Sequence, residues 1–478
     1  MSVARLIFLS VALMLAACAS EPGEGLSSTD MPQAWDAPIP AEAEIWPAAD
    51  WWRGFDSAEL NALVSTAETQ NLDLAAAAAR ILQAEAQARG AGSALLPSVN
   101  LRAGASQSGS FGDGGSNKQS FSADLGAAYE VDFWGRNRAN LSAAESSLRA
   151  SQYDRETVAL TVVASVATAY FQLLSLRDRI AIARRNLENA QGVLKITEAR
   201  VNAGVAVPLE LAQQRANVAG QEANIPTLEQ QERETRASLA LLLGRPVQGF
   251  DVTAISIAAL KAPKVAPGLP SGLLARRPDV RRAEAQLAAA DANIDAARAA
   301  FFPSISLSGS LGASSAALSS LLNPGNIAYA IGASLLQTIF DGGQNEANYD
   351  AAVARREEIL LNYRQAAIVA FSDVDVALGA VGSQEARERA SQIQADQAQE
   401  AYRIAELRYR AGVENFLSVL DAQRSLNSAQ DQLAQAKLAR LQAGVTLFRV
   451  LGGGWSDPLG PDVAGAANRI DWAGKQRR

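Results

Sequence analysis

The chain has 478 residues, a formal net charge of −7, no histidine and one cysteine. Without histidine there is no imidazole acid–base catalysis, no Ser/His/Asp triad and none of the usual zinc sites. One cysteine excludes an intramolecular disulfide, and the acidic balance argues against a nucleic-acid surface. Hydrophobic residues make up 48% of the chain and mean hydropathy is near zero, as in an ordinary packed protein rather than a multi-span helical one. No nucleotide loop, metal cluster or nucleophile–base pair is present, so neither an enzyme nor a cofactor is expected.

Residues 1–17 read as an export signal: Arg5 is followed by an apolar run from Leu6 to Leu15 that is too short to span a bilayer. The run ends in Leu15-Ala16-Ala17-Cys18, which resembles a bacterial lipobox, so Cys18 is expected to carry the lipid anchor. Ala19 rather than Asp after the cysteine favours the outer membrane. Residues 18–50 read as an extended linker behind that anchor.

Beyond it the sequence matches itself at a shift of 206 from Pro97 to Pro303 and of 208 from Gly204 to Gly412. The turns at Gly135 and Gly343, and Leu243-Gly244 against Leu451-Gly452, keep nearly the same shift. A period this long is a duplicated domain and not a solenoid repeat. The repeats are placed at 51–246 and 273–454, with a linker at 247–272 and a tail at 455–478. In each repeat a Pro-free stretch, 57–95 or 278–301, predicts a helix that stops at Pro97 or Pro303.

Two alternating stretches follow. Val99, Leu101, Ala103 and Ala105 alternate with polar or small residues, and Phe121 to Phe133 do the same. Ile305, Leu307 and Leu311 repeat the pattern, and 327–339 is a weaker fourth case. Period two means strand. After Gly135 and Gly343 come Pro-free helical stretches at 137–201 and 345–410, each about 100 Å at 1.5 Å per residue. A glycine turn and a helix of about half that length close each repeat.

Strands of this length with one apolar face suit tilted transmembrane strands. Four cannot close a barrel, and open edges in lipid leave backbone groups unpaired. Self-association follows. Two chains would supply eight strands and three would supply twelve with room for a lumen; the residues alone permit both.

Trp51-Trp52-Arg53-Gly54-Phe55, Tyr129 to Arg136, Leu274 to Val280, Phe301 to Ile305, Phe340 to Gly343 and the stretch Arg408 to Gln423 together resemble the TolC-like outer-membrane factor family, in its OprM/NodT-type lipoprotein branch. The resemblance implies a mixed α and β membrane protein: a homotrimer with a twelve-stranded β-barrel continuous with a long periplasmic helical barrel. It also implies an equatorial belt from residues 20–50, 245–275 and 455–478. The expected partners are a periplasmic adaptor and an inner-membrane pump of the resistance-nodulation-division type. The expected function is a passive exit duct for drugs or other small toxic compounds. The alternatives are the duct of a type I protein secretion system, or a tether without a pore.

The same resemblance makes Leu417 and Asp421, four apart on one helix face, the periplasmic gate, with three copies of Asp421 forming an acidic ring. It makes Arg200, Gly204 and Val205, with Arg408, Gly412 and Val413, the adaptor-docking tips. Some relatives carry Asp where Ser418 stands and Arg where Glu414 stands, so an ion-pair lock at those two positions is in doubt. Gln213 stands near the Asp421 position in the first repeat, so one turn of each pair bears the acid.

Overall fold

The computed structural model describes residues 32, 34–37, 44–109, 117–268, 270–455 and 457. The expected signal peptide and Cys18 lie outside the described residues.

The first elements among the described residues are strand β1 (Glu44–Ile45) and a 3-10 turn at Trp51–Phe55. The first repeat then runs α1 (Ala58–Gln70), α2 (Leu72–Ser93), β2 (Ser98–Ser108), β3 (Lys118–Val131), α3 (Arg136–Asn202) and α4 (Pro208–Leu242). Strand β4 (Val265–Ala266) and α5 (Pro270–Leu274) lie between the repeats. The second repeat runs α6 (Pro278–Ala299), β5 (Ser304–Ser315), β6 (Ile327–Leu336), α7 (Gln344–Arg410) and α8 (Phe416–Val450).

The single helix expected over 57–95 is two. Asn71 ends the first and caps the second, its side-chain oxygen accepting from the amides of Asp73 and Leu74 at 2.9 and 3.0 Å. Asparagine is a favoured N-cap because it satisfies amides that have no helical partner. Its side-chain amide also donates to the Leu242 carbonyl at 2.8 Å, joining the break to the far end of the repeat.

The long helices each hold 67 residues and their return helices 35. Both long helices follow a glycine with positive φ, Gly135 at 80° and Gly343 at 88°. Nearby carboxylates take up the free amides of the first turn: Asp132 accepts from Asn137 and Arg138, and Asp341 from Gly343, Gln344 and Asn345. Pro226 lies inside α4 and leaves the carbonyl one turn behind it without its helical donor.

The four long strands form one antiparallel sheet in the order β2-β3-β5-β6, so the two hairpins join through β3 and β5. The register lines up Leu101, Leu125, Leu311 and Tyr329 across all four strands. One residue away, Asn100, Gly126, Ser310 and Ala330 form the matching row on the other face. The sequence alternation thus becomes one apolar and one polar face. Residue 327 opens the weaker fourth strand as expected, but the strand ends at Leu336, short of 339.

Below the sheet α3 packs against α2 and α6, and further down against α4 and α8; α7 packs against α6 and then α8. The main core lies at the equator. Trp51 stacks on Phe448 with ring centres 5.1 Å apart, and Phe55 meets Phe171 at 4.9 Å. Phe55, Leu60, Val166, Phe171, Leu173 and Leu174 are fully buried there, each worth about 1.5–3 kcal/mol of apolar burial. Two arginines fasten this region: Arg177, mostly covered, holds the wrapping segment, and Arg277, buried, ties α6 to α7. Arg177 binds Glu232 at 3.0 Å and the carbonyls of Val252 and Ala254 at 2.7 Å. Arg277 binds Asp279 at 2.6 Å and Asp373 at 3.2 Å.

Candidate functional site: the helical tips

Each helical hairpin turns at a glycine. In the first, the Gly204 amide donates to the Val201 carbonyl and the Val205 amide to Arg200, at 3.0 and 2.9 Å. In the second, Gly412 donates to Tyr409 and Val413 to Arg408, both at 3.0 Å. This paired pattern ends a helix with a left-handed residue, and Gly204 and Gly412 supply it with φ of 71° and 78°. Val205 and Val413, next in line, are 65% and 64% exposed, so each tip presents a bare apolar side chain.

The six expected tip residues meet at one end of the molecule, but the two arginines are engaged within the chain. Arg200 reaches across to the second hairpin, donating to the Tyr409 carbonyl at 2.8 Å and lying 4.5 Å over the Tyr409 ring. Arg408 pairs with Glu414 at 3.2 Å. Glu414 also accepts from the Ser418 hydroxyl at 3.0 Å. The Ser418 hydrogen bond, the Asn415 amide and Arg408 hold the Glu414 carboxyl below its ordinary value. The two positions that depart from some relatives, Glu414 and Ser418, are thus bonded to each other.

Asn415 caps α8, accepting from the Ser418 amide at 2.9 Å. Leu417 sits in the first turn beyond that cap and is 60% exposed; Asp421, one turn on, is exposed and has no ion pair among the described residues. Behind them Tyr402, Tyr409, Phe416, Val419, Leu420 and Leu426 form a buried cluster with Val193. Burial pushes the Tyr402 phenol up to about 12.

Above this cluster Asn217 donates to Gln423 at 2.9 Å, and Gln214 donates to the Ala190 carbonyl at 2.7 Å. Sequence reading missed Asn217, Gln214 and the Arg200–Tyr409 pair. Asn217 and Arg200 join segments that meet only when the two hairpins dock, and Gln214 ties the two arms of the first hairpin together; no local pattern announces either. Among the described residues no cluster of His, Cys, Asp and Glu could hold a metal ion.

The comparisons with known proteins fit this geometry. The family model described as outer membrane efflux protein matches residues 63–245 and 269–453, one match per repeat. The chain belongs to this family. The family consists of outer membrane channels, which are not enzymes, and its channels are trimers, so four strands per chain make a twelve-stranded barrel. Among curated relatives, the pyoverdine export outer membrane protein OpmQ of Pseudomonas aeruginosa is 43% identical over 95% of this chain and 98% of its own length. The cation efflux system protein CusC of Escherichia coli is 32% identical over 95% of this chain and its whole length.

Among solved structures, the outer-membrane channel OprN superposes with a TM-score of 0.84 at 31% identity, covering 92% of this chain and all of that one. The open state of the MtrE channel of Neisseria gonorrhoeae gives 0.82 at 31% identity, covering 91% and 98%. The TolC-like resemblance and the fold class read from sequence are both confirmed.

Proposed function

We propose that three copies of this chain form a passive exit duct for small molecules, the outer-membrane component of a tripartite efflux system with a periplasmic adaptor and an inner-membrane pump of the resistance-nodulation-division type. One observation carries the reading: the four-stranded sheet has two unpaired edges, β2 and β6, and an apolar face open across all four strands. Lipid tolerates such a sheet only when it is closed. Leu101, Tyr329, Ile331 and Leu335 are between 66% and 85% exposed, which suits contact with acyl chains. The helices below are about 100 Å long, a length suited to crossing the periplasm.

The cargo assignment rests on the relatives. Those at 43% and 42% identity are named for pyoverdine export, and others at 32% for cation and antibiotic efflux. These favour low-mass cargo over the polypeptides of a type I secretion duct. In this reading Leu417 and Asp421 of three chains line the periplasmic entrance, and the Val205 and Val413 tips meet the adaptor. In planar bilayers Asp421→Ala should raise conductance and cation leak at low voltage. Unchanged conductance and selectivity would refute the acidic gate.

Cys18 anchors the duct through covalent lipid. Cys18→Ser should abolish incorporation of radiolabelled palmitate, and continued labelling would place the anchor elsewhere.

A further inference from the structure

A groove of about 520 Å³ crosses the four helices of the upper duct, from Arg80 on α2 past Ser151 and Asp154 on α3 and Arg282 on α6 to Arg355 on α7. Three guanidinium groups line it against a single carboxylate, Asp154, which pairs with two of them. Asp154 takes Arg282 at 2.7 Å, and Arg80 stands off at 3.8 Å. Among the described residues Arg355 is paired only with Glu358, which lies outside the groove. The Arg282 Nε is buried without a hydrogen-bond partner among the described residues. An acidic chain thus carries a locally cationic hollow of the size small-molecule sites take, about 300–1,000 Å³.

Its side of the wall follows from helix geometry. Asp154, Thr161 and Thr168 recur every seven residues and so share one face of α3. Thr161 and Thr168 line a second polar hollow further down the same face. Val163, Tyr170 and Arg177 share another heptad face, and it carries the wrapping segments: Val163 and Tyr170 lie in the equatorial core and Arg177 binds residues 251–254. Residues 161 and 163 are about 200° apart around the helix. The belt wraps one side of the wall, and the groove opens on the other, the lumen.

We propose that this groove is a luminal subsite for small carboxylate-bearing solutes, held between Arg80, Arg282 and Arg355 on their way from the helical duct to the barrel. The proposal rests on the duct reading. Guanidinium forks match carboxylates in a two-point geometry that a lysine would not reproduce. Arg80 and Arg355 are 62% and 64% exposed, so the hold is weak. A conducting path needs sites strong enough to enter and weak enough to leave.

The test is citrate block of single-channel current through the full-length assembly. Millimolar citrate should reduce wild-type conductance, while a neutral sugar of similar size should not. The double variant Arg80→Gln/Arg355→Gln leaves the Asp154–Arg282 pair intact, and its half-blocking concentration should rise about tenfold or more. Arg53→Gln, on the exposed equatorial surface, should leave the block unchanged. Equal block in wild type and double variant, or none in wild type, would overturn the subsite. A double variant whose trimer dissociates would assign the arginines to a subunit seam and also overturn it. A stable assembly that never conducts would instead overturn the duct reading itself.

Discussion

The two long helices α3 and α7 have the same length, begin after the same kind of glycine and are offset by 208 residues, yet their surroundings differ. Twenty-two residues of α3 are buried, against 11 of α7. Each holds a stretch apolar enough to cross a membrane; half of that stretch is buried in α3 but only 28% in α7. α3 is flanked on both sides, by α2 and α4 from its own repeat and by α6 and α8 from the other. α7 has α6 and α8 on one side and none of α2, α3 or α4 packed along the other.

On its open side lie Leu361, Ile368, Val369, Val376, Ile393, Ile404 and Leu407, between 41% and 68% exposed. They face away from the buried heptad row Leu360, Ala367 and Val374. A patch of this extent marks an interaction surface. By the duplication, α6 and α8 beside α7 correspond to α2 and α4 beside α3, so the place that α6 and α8 take on the other side of α3 is left beside α7 for α2 and α4 of the next copy. Two equivalent sequences thus serve as an inner stave and a seam, and the difference is the place where the ring closes.

The sharpest way to break this comparison is to charge both faces. Ile368→Asp with Val376→Asp on α7 should leave a folded chain that no longer assembles, read by size-exclusion chromatography with light scattering. Val163→Asp on α3, 5% exposed, should prevent folding, because a buried unpaired charge costs several kcal/mol. An Ile368→Asp/Val376→Asp protein that stays fully trimeric would remove the seam from α7.

A smaller effect is expected at the joint between α6 and α7 in the second repeat. Burial raises the Asp279 carboxyl, and the hydrogen-bonded Arg277 guanidinium more than offsets this, so its pKa lies below the ordinary value. A depressed pKa gives stability that is complete above the unfolded value, about 3.9, and is lost as pH falls through the folded one. Asp279→Asn should therefore cost about 2 kcal/mol at neutral pH, because Arg277 keeps Asp373. The gap from wild type should narrow below pH about 4. Thermal melts of the assembly across pH check it; a gap that is constant with pH would mean that the pair contributes nothing through charge.

Much of this was legible in the sequence because the signals are periodic. Alternation in 99–105 and 121–131 places every large apolar side chain of those strands on one face, as the register shows. The glycine turns and the absence of Pro placed the long helices to within one residue at all four ends. The break at Asn71 was hidden because the run around it is rich in helix formers, and a cap competes with helix continuation only through its side chain. The equatorial core was hidden for a different reason: Trp51 and Phe448 meet across nearly 400 positions. The contrast between α3 and α7 was invisible, since it depends on which elements dock beside each helix.

The number of copies in the assembly is the most direct point of test. Native mass spectrometry of the full-length protein released from detergent should show an assembly of three chains, with no stable monomer at the same ionic strength. A folded monomer, or a closed dimer, would contradict it.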